Sequence, residues 1–404
     1  MKKMSESAVF LMNPSYKNEI YGVKQLSLFD SKSLNHAYSV VNSLPQYSQT
    51  PLIEMPLLSE ILGIDSLHCK YEGDRFGGSS FKALGLSNAV IAAVMRILTN
   101  TWGLNIELHD LIDGKFKDKT SSITFSAATS GNHGYALAWI SRQLGAQCKI
   151  YCTKSVSKNR VSRILNLGAE VISVDGAFDR AVELCTLQSE INGDIVISNV
   201  VQKGFEDIPK LIMNGYGIIA KEISEQLISI VPTHIFVGGG GGRLAASIAA
   251  FYSIETRFGT PKIILVEPEE SDCIFQSLKN SKLSISSSSG DSIMTGLSVK
   301  RPSPIAWEIL QHNACASMTI SDVSALEVLR AINLGSYGDR PIAIGETGIA
   351  AMAGLVVASR SSLIRELLEI NEDSNIVVVA CEGVIDQDLL DSLLDESKSR
   401  ADLL

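Results

Sequence analysis

Several absences narrow this chain before any motif does. No apolar run approaches the roughly 18–20 residues that a membrane-spanning helix needs, so no membrane partner is expected. Positive charge is outweighed: 35 Lys and Arg against 44 Asp and Glu give a net charge of −9. An acidic chain does not seek phosphate backbones, so no nucleic-acid partner is expected either. The N-terminal stretch MKKMSESAVFLMNPSYKNE begins basic but lacks a sustained apolar core and a small-residue cleavage site, and it reads as mature protein rather than a signal peptide. Seven cysteines, Cys69, Cys148, Cys152, Cys185, Cys273, Cys315 and Cys381, are odd in number and scattered. Cys148 and Cys152 lie close together, but no second cysteine or histidine pair completes a zinc pattern, so no metal site is expected. Most lie in apolar runs such as KIYC and VVVAC, which predicts reduced, buried thiols in a cytoplasmic protein.

What is present is an ordinary globular composition, 45% hydrophobic and 20% charged over 404 residues, long enough for two domains. No internal repeat is visible. Short runs rich in Val or Ile predict strands near 67–71, 123–127, 149–152, 170–174, 195–198, 234–237, 262–266 and 375–380. Helical patterns follow most of them, at 82–98, 134–144, 158–167, 177–190, 243–258, 272–278 and 348–360. Strand, short turn, helix, strand is the pattern of parallel α/β sheets. The polar stretch 101–119 reads as an excursion from a domain, and the serine-rich 281–292 as a surface loop.

Four segments carry candidate chemistry. In KYEGDRFGGSSFKALG (Lys70 to Gly85) a strand runs into a glycine-containing loop, and Ser79 and Ser80 can cap a helix beginning near Phe81. Lys82 then lies in the first helical turn, where the positive end of the helix dipole disfavours its charged form. An amine that attacks a carbonyl needs that; a solvated surface lysine is the plain alternative. In AATSGNHGYALAW (Ala127 to Trp139), Thr129, Ser130, Asn132 and His133 sit on a strand-to-helix turn. Such a turn exposes backbone N–H groups to a carboxylate or phosphate, or it is only a capped turn. In HIFVGGGGGRLAAS (His234 to Ser247) the run Gly238 to Gly242 is costly to order. It makes sense where a ligand phosphate must touch backbone at a helix N-terminus; a flexible linker is the alternative. It is neither a spaced dinucleotide motif nor a P-loop. In NIVVVACEGVID (Asn375 to Asp386) Cys381 stands at a strand's carboxyl end, where α/β proteins place ligands, or else is a core cysteine.

Together these motifs resemble the fold-type-II pyridoxal-phosphate enzymes, the family of threonine and serine dehydratases and cysteine synthase. The resemblance implies an α/β fold with two open, twisted, mostly parallel sheets flanked by helices, and the cofactor between two domains. It implies a large cofactor-binding domain from 1–84 plus 201–404, a smaller one from 85–200, and a homodimer. It places the pyridoxal 5'-phosphate on Lys82, its phenolic oxygen beside Asn132, its phosphate on Gly239, Gly240, Gly241 and Gly242, and its ring nitrogen opposite Cys381. Within the family the chain is similar to the diaminopropionate ammonia-lyases, through QTPL, DRFGGSSFK, SGNHGYALAW, VEPEESDCIF, IMTGL, PSPIAWEIL and GETG.

It departs from that pattern at the proton-transfer positions. Ser130 and Asn199 stand where the ammonia-lyases carry two aspartates, and Cys273 matches one member of a cysteine pair whose other position holds Ser298 or Val299. The turn T-S-G-N-H-G is that of the dehydratases and serine racemase. Thr129, Ser130, His133 and Asn199 are thereby implied in substrate binding, and Lys82 and Ser130 in acid–base work. The implied activity is α,β-elimination on 2,3-diaminopropionate or a similar β-substituted small amino acid, giving a 2-keto acid and ammonia. The alternatives are a serine/threonine dehydratase or amino-acid racemase, and a β-replacement synthase or an inactive cofactor-binding homologue.

Overall fold

A computed structural model describes residues 8–17, 21–129, 131–197, 204–288, 290–395 and 397. Its strands are β1 (Ala8–Met12), β2 (Leu52–Glu54), β3 (Ser66–Tyr71), β4 (Thr124–Ala128), β5 (Gln147–Thr153), β6 (Glu170–Val174), β7 (Ile195–Val196), β8 (His234–Gly238), β9 (Lys262–Pro268), β10 (Ala316–Ile320) and β11 (Asn375–Ala380). The chain divides into two compact units, one of Met1–Ser31, Gln49–Asp74 and Ile219–Leu404, the other of Lys32–Ser48 and Arg75–Ile218.

The first unit is built on a seven-stranded sheet in the order β1-β10-β9-β8-β11-β3-β2. Its five inner strands are parallel, and only the edge strands β1 and β2 pair antiparallel. β8 is buried along its whole length, as a strand covered on both faces must be, which explains its unbroken apolar run. The helix Ala350–Arg360 packs on this sheet. A Cβ at Gly354 would lie 2.4 Å from Val266 Cγ2, so the helix approaches β9 as closely as backbone allows. The fully buried ammonium of Lys70 meets Glu222 Oε2 at 2.6 Å, the Thr50 carbonyl at 2.8 Å and Gln226 Oε1 at 2.9 Å. A buried charge so surrounded is satisfied, and removing one partner leaves the other uncompensated.

The second unit holds a four-stranded parallel sheet, β6-β5-β4-β7, with the helix Asn132–Leu144 packed against the helix Lys82–Trp102. The latter is long and apolar enough to cross a membrane by length and composition, but 67% of its most apolar window is buried within the structure, as in a core helix. The 101–119 excursion carries two short helices, Leu108–Ile112 and Lys117–Thr120.

Candidate active site

In the second unit, Lys82 is the first residue of its helix. The expected serine cap is not there: Phe81 precedes the helix with helical dihedrals and no side-chain cap, and Ser79 takes φ 59°. A left-handed serine cannot present its hydroxyl as a cap, and Ser80 is buried instead. The half-buried Lys82 ammonium stands 4.6 Å from the centroid of the Phe81 ring and 5.8 Å from that of Tyr216. These aromatic faces hold its stem in place and shield it on their side from water.

The second motif opens the helix Asn132–Leu144, with Gly131 as its cap and no side-chain cap bond. Thr129 is buried, donates its amide to the Tyr151 carbonyl at 3.0 Å and accepts from the Gly131 amide at 3.2 Å. His133 Nε2 lies 2.7 Å from the Ile197 carbonyl, so it donates there and its ring orientation is set by β7's end. Tyr135 binds this turn to the lysine loop, its hydroxyl 3.4 Å from the Gly77 carbonyl. Lys82, Asn132, Thr129 and His133 thus belong to one unit, with Arg163 touching both loops, a residue the sequence reading missed. Ser130 and Asn199 lie outside the described residues.

In the first unit the glycine run leaves β8 and enters the helix Arg243–Ile254, capped by Gly242 with no side-chain bond. The uncapped first turn presents its N–H groups to a ligand. The glycines differ in their reasons. Gly240 and Gly242 take φ 50° and 87°. A Cβ at Gly239 would meet Glu267 Cγ at 2.5 Å, whereas one at Gly241 meets only Val299 Cγ1 at 3.7 Å. Gly241 is also the part-exposed member of the run. Cys273, held as a free thiol, donates to the Gly240 carbonyl at 3.4 Å, and burial pushes its pKa far up. The Gly239 and Gly242 amides donate to the Val266 and Gly239 carbonyls, each at 2.8 Å, so the donors that fit a phosphate-bearing cofactor are the amides of Gly240, Gly241 and the first helical turn.

Cys381 follows β11, buried, with its Sγ 4.0 Å from the Thr347 carbonyl. The GETG turn is pressed onto this strand end: a Cβ at Gly348 would lie 2.2 Å from the Glu382 carbonyl, and one at Gly345 2.3 Å from that of Gly383. Glu382 Oε1 accepts the Thr347 amide at 3.1 Å. Both glycines are therefore required by close backbone approach. Among the described residues no group of His, Cys, Asp and Glu is arranged to hold a metal.

Comparison with known proteins agrees with this chemistry. The family described as pyridoxal-phosphate dependent enzyme matches residues 44–382. The diaminopropionate ammonia-lyase of Escherichia coli (strain K12) is 31% identical over 384 residues, covering 91% of this chain and 93% of its own length. The crystal structure of the holo form of the Escherichia coli diaminopropionate ammonia lyase superposes with a TM-score of 0.86, at 28% identity and 97% coverage of both chains. The complex of that Escherichia coli enzyme with D-serine gives 0.84, at 28% identity, covering 97% of this chain and 98% of the other. With the family matched over most of its length and a full-length relative above 30% identity, the chain belongs to the pyridoxal-phosphate-dependent enzymes.

Proposed function

We propose that this chain is a lyase that eliminates the β-substituent of a small amino acid, with 2,3-diaminopropionate as the first candidate, giving a 2-keto acid and ammonia. The similarity to diaminopropionate ammonia-lyase along nearly the whole chain carries this reading. Bound pyridoxal phosphate would draw electrons from the substrate's Cα and so acidify the proton on it. Lys82 would hold the cofactor at its carbonyl, and its Nζ would take the proton from the substrate's Cα. Within the run Gly239 to Gly242, the amides of Gly240 and Gly241, with those of the first helical turn, would hold the phosphate. Asn132 would hold the cofactor's phenolic oxygen, and Thr129, Ser130, His133 and Asn199 would hold the substrate and its carboxylate. The Cys381 thiol would be a neutral partner for the cofactor's ring nitrogen, a setting that favours elimination over deeper carbanion chemistry. The assembly is a homodimer in the cytoplasm, and the smaller domain proposed over 85–200 is a part of the sequence range of the compact unit Lys32–Ser48 and Arg75–Ile218, which also takes in Lys82.

Ser130 supports a second reading, a serine/threonine dehydratase or racemase, because by sequence a hydroxyl, which can move a proton, stands where the ammonia-lyases carry an aspartate. Asn199 is an amide and cannot act as a base. The enzyme is therefore expected to prefer one enantiomer, the L form, with residual D activity or racemisation dependent on Ser130. The test assays keto acid and ammonia from both enantiomers of diaminopropionate, serine and threonine, in the parent, Lys82→Ala and Ser130→Ala. Lys82→Ala should lose both turnover and the yellow absorbance of the bound cofactor. Fast turnover of both hands in the parent, untouched by Ser130→Ala, would defeat the assignment of Ser130.

A further inference from the structure

We propose that Cys273 is a positioning residue for the cofactor's phosphate: by holding the Gly240 carbonyl, its thiol aims the Gly241 amide at that phosphate. The inference rests on the reading above that the glycine run takes the phosphate, and it names the side chain on which that site depends.

It begins with the carbonyls of the run. The Gly239 carbonyl accepts the Gly242 amide at 2.8 Å, that of Gly241 accepts the Ser303 amide at 2.9 Å, and that of Gly242 accepts the Ala246 amide at 2.8 Å. The fourth, of Gly240, accepts from Cys273 Sγ at 3.4 Å. Three of these restraints are backbone to backbone, and one comes from a side chain. A trans peptide is planar, with its carbonyl and the following N–H on opposite sides. Holding the Gly240 carbonyl toward Cys273 therefore turns the Gly241 N–H the other way. The restraint matters at this peptide, because a glycine on each side of it offers little resistance to its turning over. The side away from Cys273 has room: a Cβ at Gly241 would meet only Val299 Cγ1 at 3.7 Å, and Gly241 is part-exposed.

Cys273 is itself fixed from two directions. It opens the helix Cys273–Asn280. On one side Glu267 accepts the amides of Ile274 at 3.0 Å and Phe275 at 2.7 Å, while its Cγ lies 2.5 Å from the Cβ position of Gly239. One buried side chain thus braces both the helix and the glycine run. On the other side Asp272 accepts from the Ser287 amide at 2.8 Å, the Ser286 hydroxyl at 2.9 Å and Gln276 Nε2 at 2.6 Å. Cys273 has no exposed surface. Burial, reinforced by the carboxyls of Glu267 and Asp272, pushes its pKa far up, so the sulfur keeps the proton that the Gly240 carbonyl accepts. Gly240 is buried too. Without the thiol its carbonyl is an unmet acceptor, and turning the peptide to relieve it takes the Gly241 N–H away from the ligand.

The test titrates the full chain, stripped of cofactor, with pyridoxal phosphate and with pyridoxal, which lacks the phosphate. The ratio of the two dissociation constants, read by absorbance, reports how much the phosphate adds to binding. Cys273→Ala should shrink that ratio about tenfold, the scale of one hydrogen bond to a charged group, by weakening pyridoxal phosphate and leaving pyridoxal unchanged. Cys273→Ser keeps a donor and should recover part of the loss. An equal loss for both ligands in Cys273→Ala overturns the proposal, because a cysteine that only supports the fold would act on both. A serine variant as weak as the alanine variant overturns it as well. Gly241→Ala separates the proposal from the reading beneath it, since its methyl would intrude on a phosphate bound there. A ratio that collapses in Gly241→Ala and stays whole in Cys273→Ala spares the phosphate site and sinks the role of Cys273. A ratio that neither variant changes takes the phosphate off the glycine run, and the proposal falls with it.

Discussion

Glu267, at the end of β9, has no exposed surface, yet it lies directly beneath the glycine run. Its oxygens accept the amides of Ile274 at 3.0 Å and Phe275 at 2.7 Å. Burial nonetheless dominates and pushes its pKa from 4.5 up to about 8. The native state therefore holds this proton more tightly than the unfolded chain does. The stability it contributes is complete below about 4.5 and is lost as pH rises through about 8. In thermal melts from pH 5 to pH 9, the parent should lose Tm relative to Glu267→Gln as pH rises. A constant difference across that range would show that the carboxyl is ionised throughout. None of this was legible in the sequence. VEPEESDCIF marks a family resemblance, but the burial of its first glutamate depends on Ser317 in β10 and on the helix that begins at Cys273.

Elements were legible where one local pattern governed them. The expected strands at 170–174 and 375–380 coincide with β6 and β11. The helix expected over 243–258 breaks at Ile254 into a short 3-10 turn, Thr256–Phe258. The helix Ile208–Gln226 was missed because Gly215 and Gly217 interrupt its pattern. The structure supplies the reason for the first of them. A Cβ at Gly215 would fall 2.6 Å from the Leu84 carbonyl, and one at Gly85 2.5 Å from that of Ile212. The two helices cross backbone to backbone, a tertiary demand that overrides helix propensity. β1 and β10, too, are strands only because they pair with each other and with β9 across long stretches of chain. The glycine run offers a clean test at this scale. Gly242→Ala places a side chain at φ 87° and within 2.9 Å of Leu310 Cδ1, and should destabilise the apoprotein by about 1–2 kcal/mol. Gly241→Ala has room, and its melting should change by less than about 0.5 kcal/mol while retained cofactor falls sharply. Full cofactor content in Gly241→Ala would remove the phosphate from this loop.

For the molecule as a whole, the α/β class and the parallel sheets followed from alternating strand and helix patterns, and the family from four short motifs in order. Their division between two compact units did not, because the chain enters the second unit at Lys32, leaves it at Ser48 and returns at Arg75. No local composition marks those passages; only contacts do.

The seven thiols, all free and buried, follow that division. Cys69, Cys273, Cys315 and Cys381 fall in one unit, and Cys148, Cys152 and Cys185 in the other. Alkylation needs a thiolate, and burial pushes Cys69 and Cys148 to about 12 and Cys185 and Cys315 to about 11. A native thiol is thus silent until its surroundings open. The chain carries its own set of clocks. The alkylation rate at each cysteine, read by mass spectrometry, times the breathing of one sheet independently of the other. Stripping the cofactor should quicken the clock at Cys381 and leave that at Cys148 unchanged, and equal acceleration at both would mean that cofactor loss loosens the whole chain.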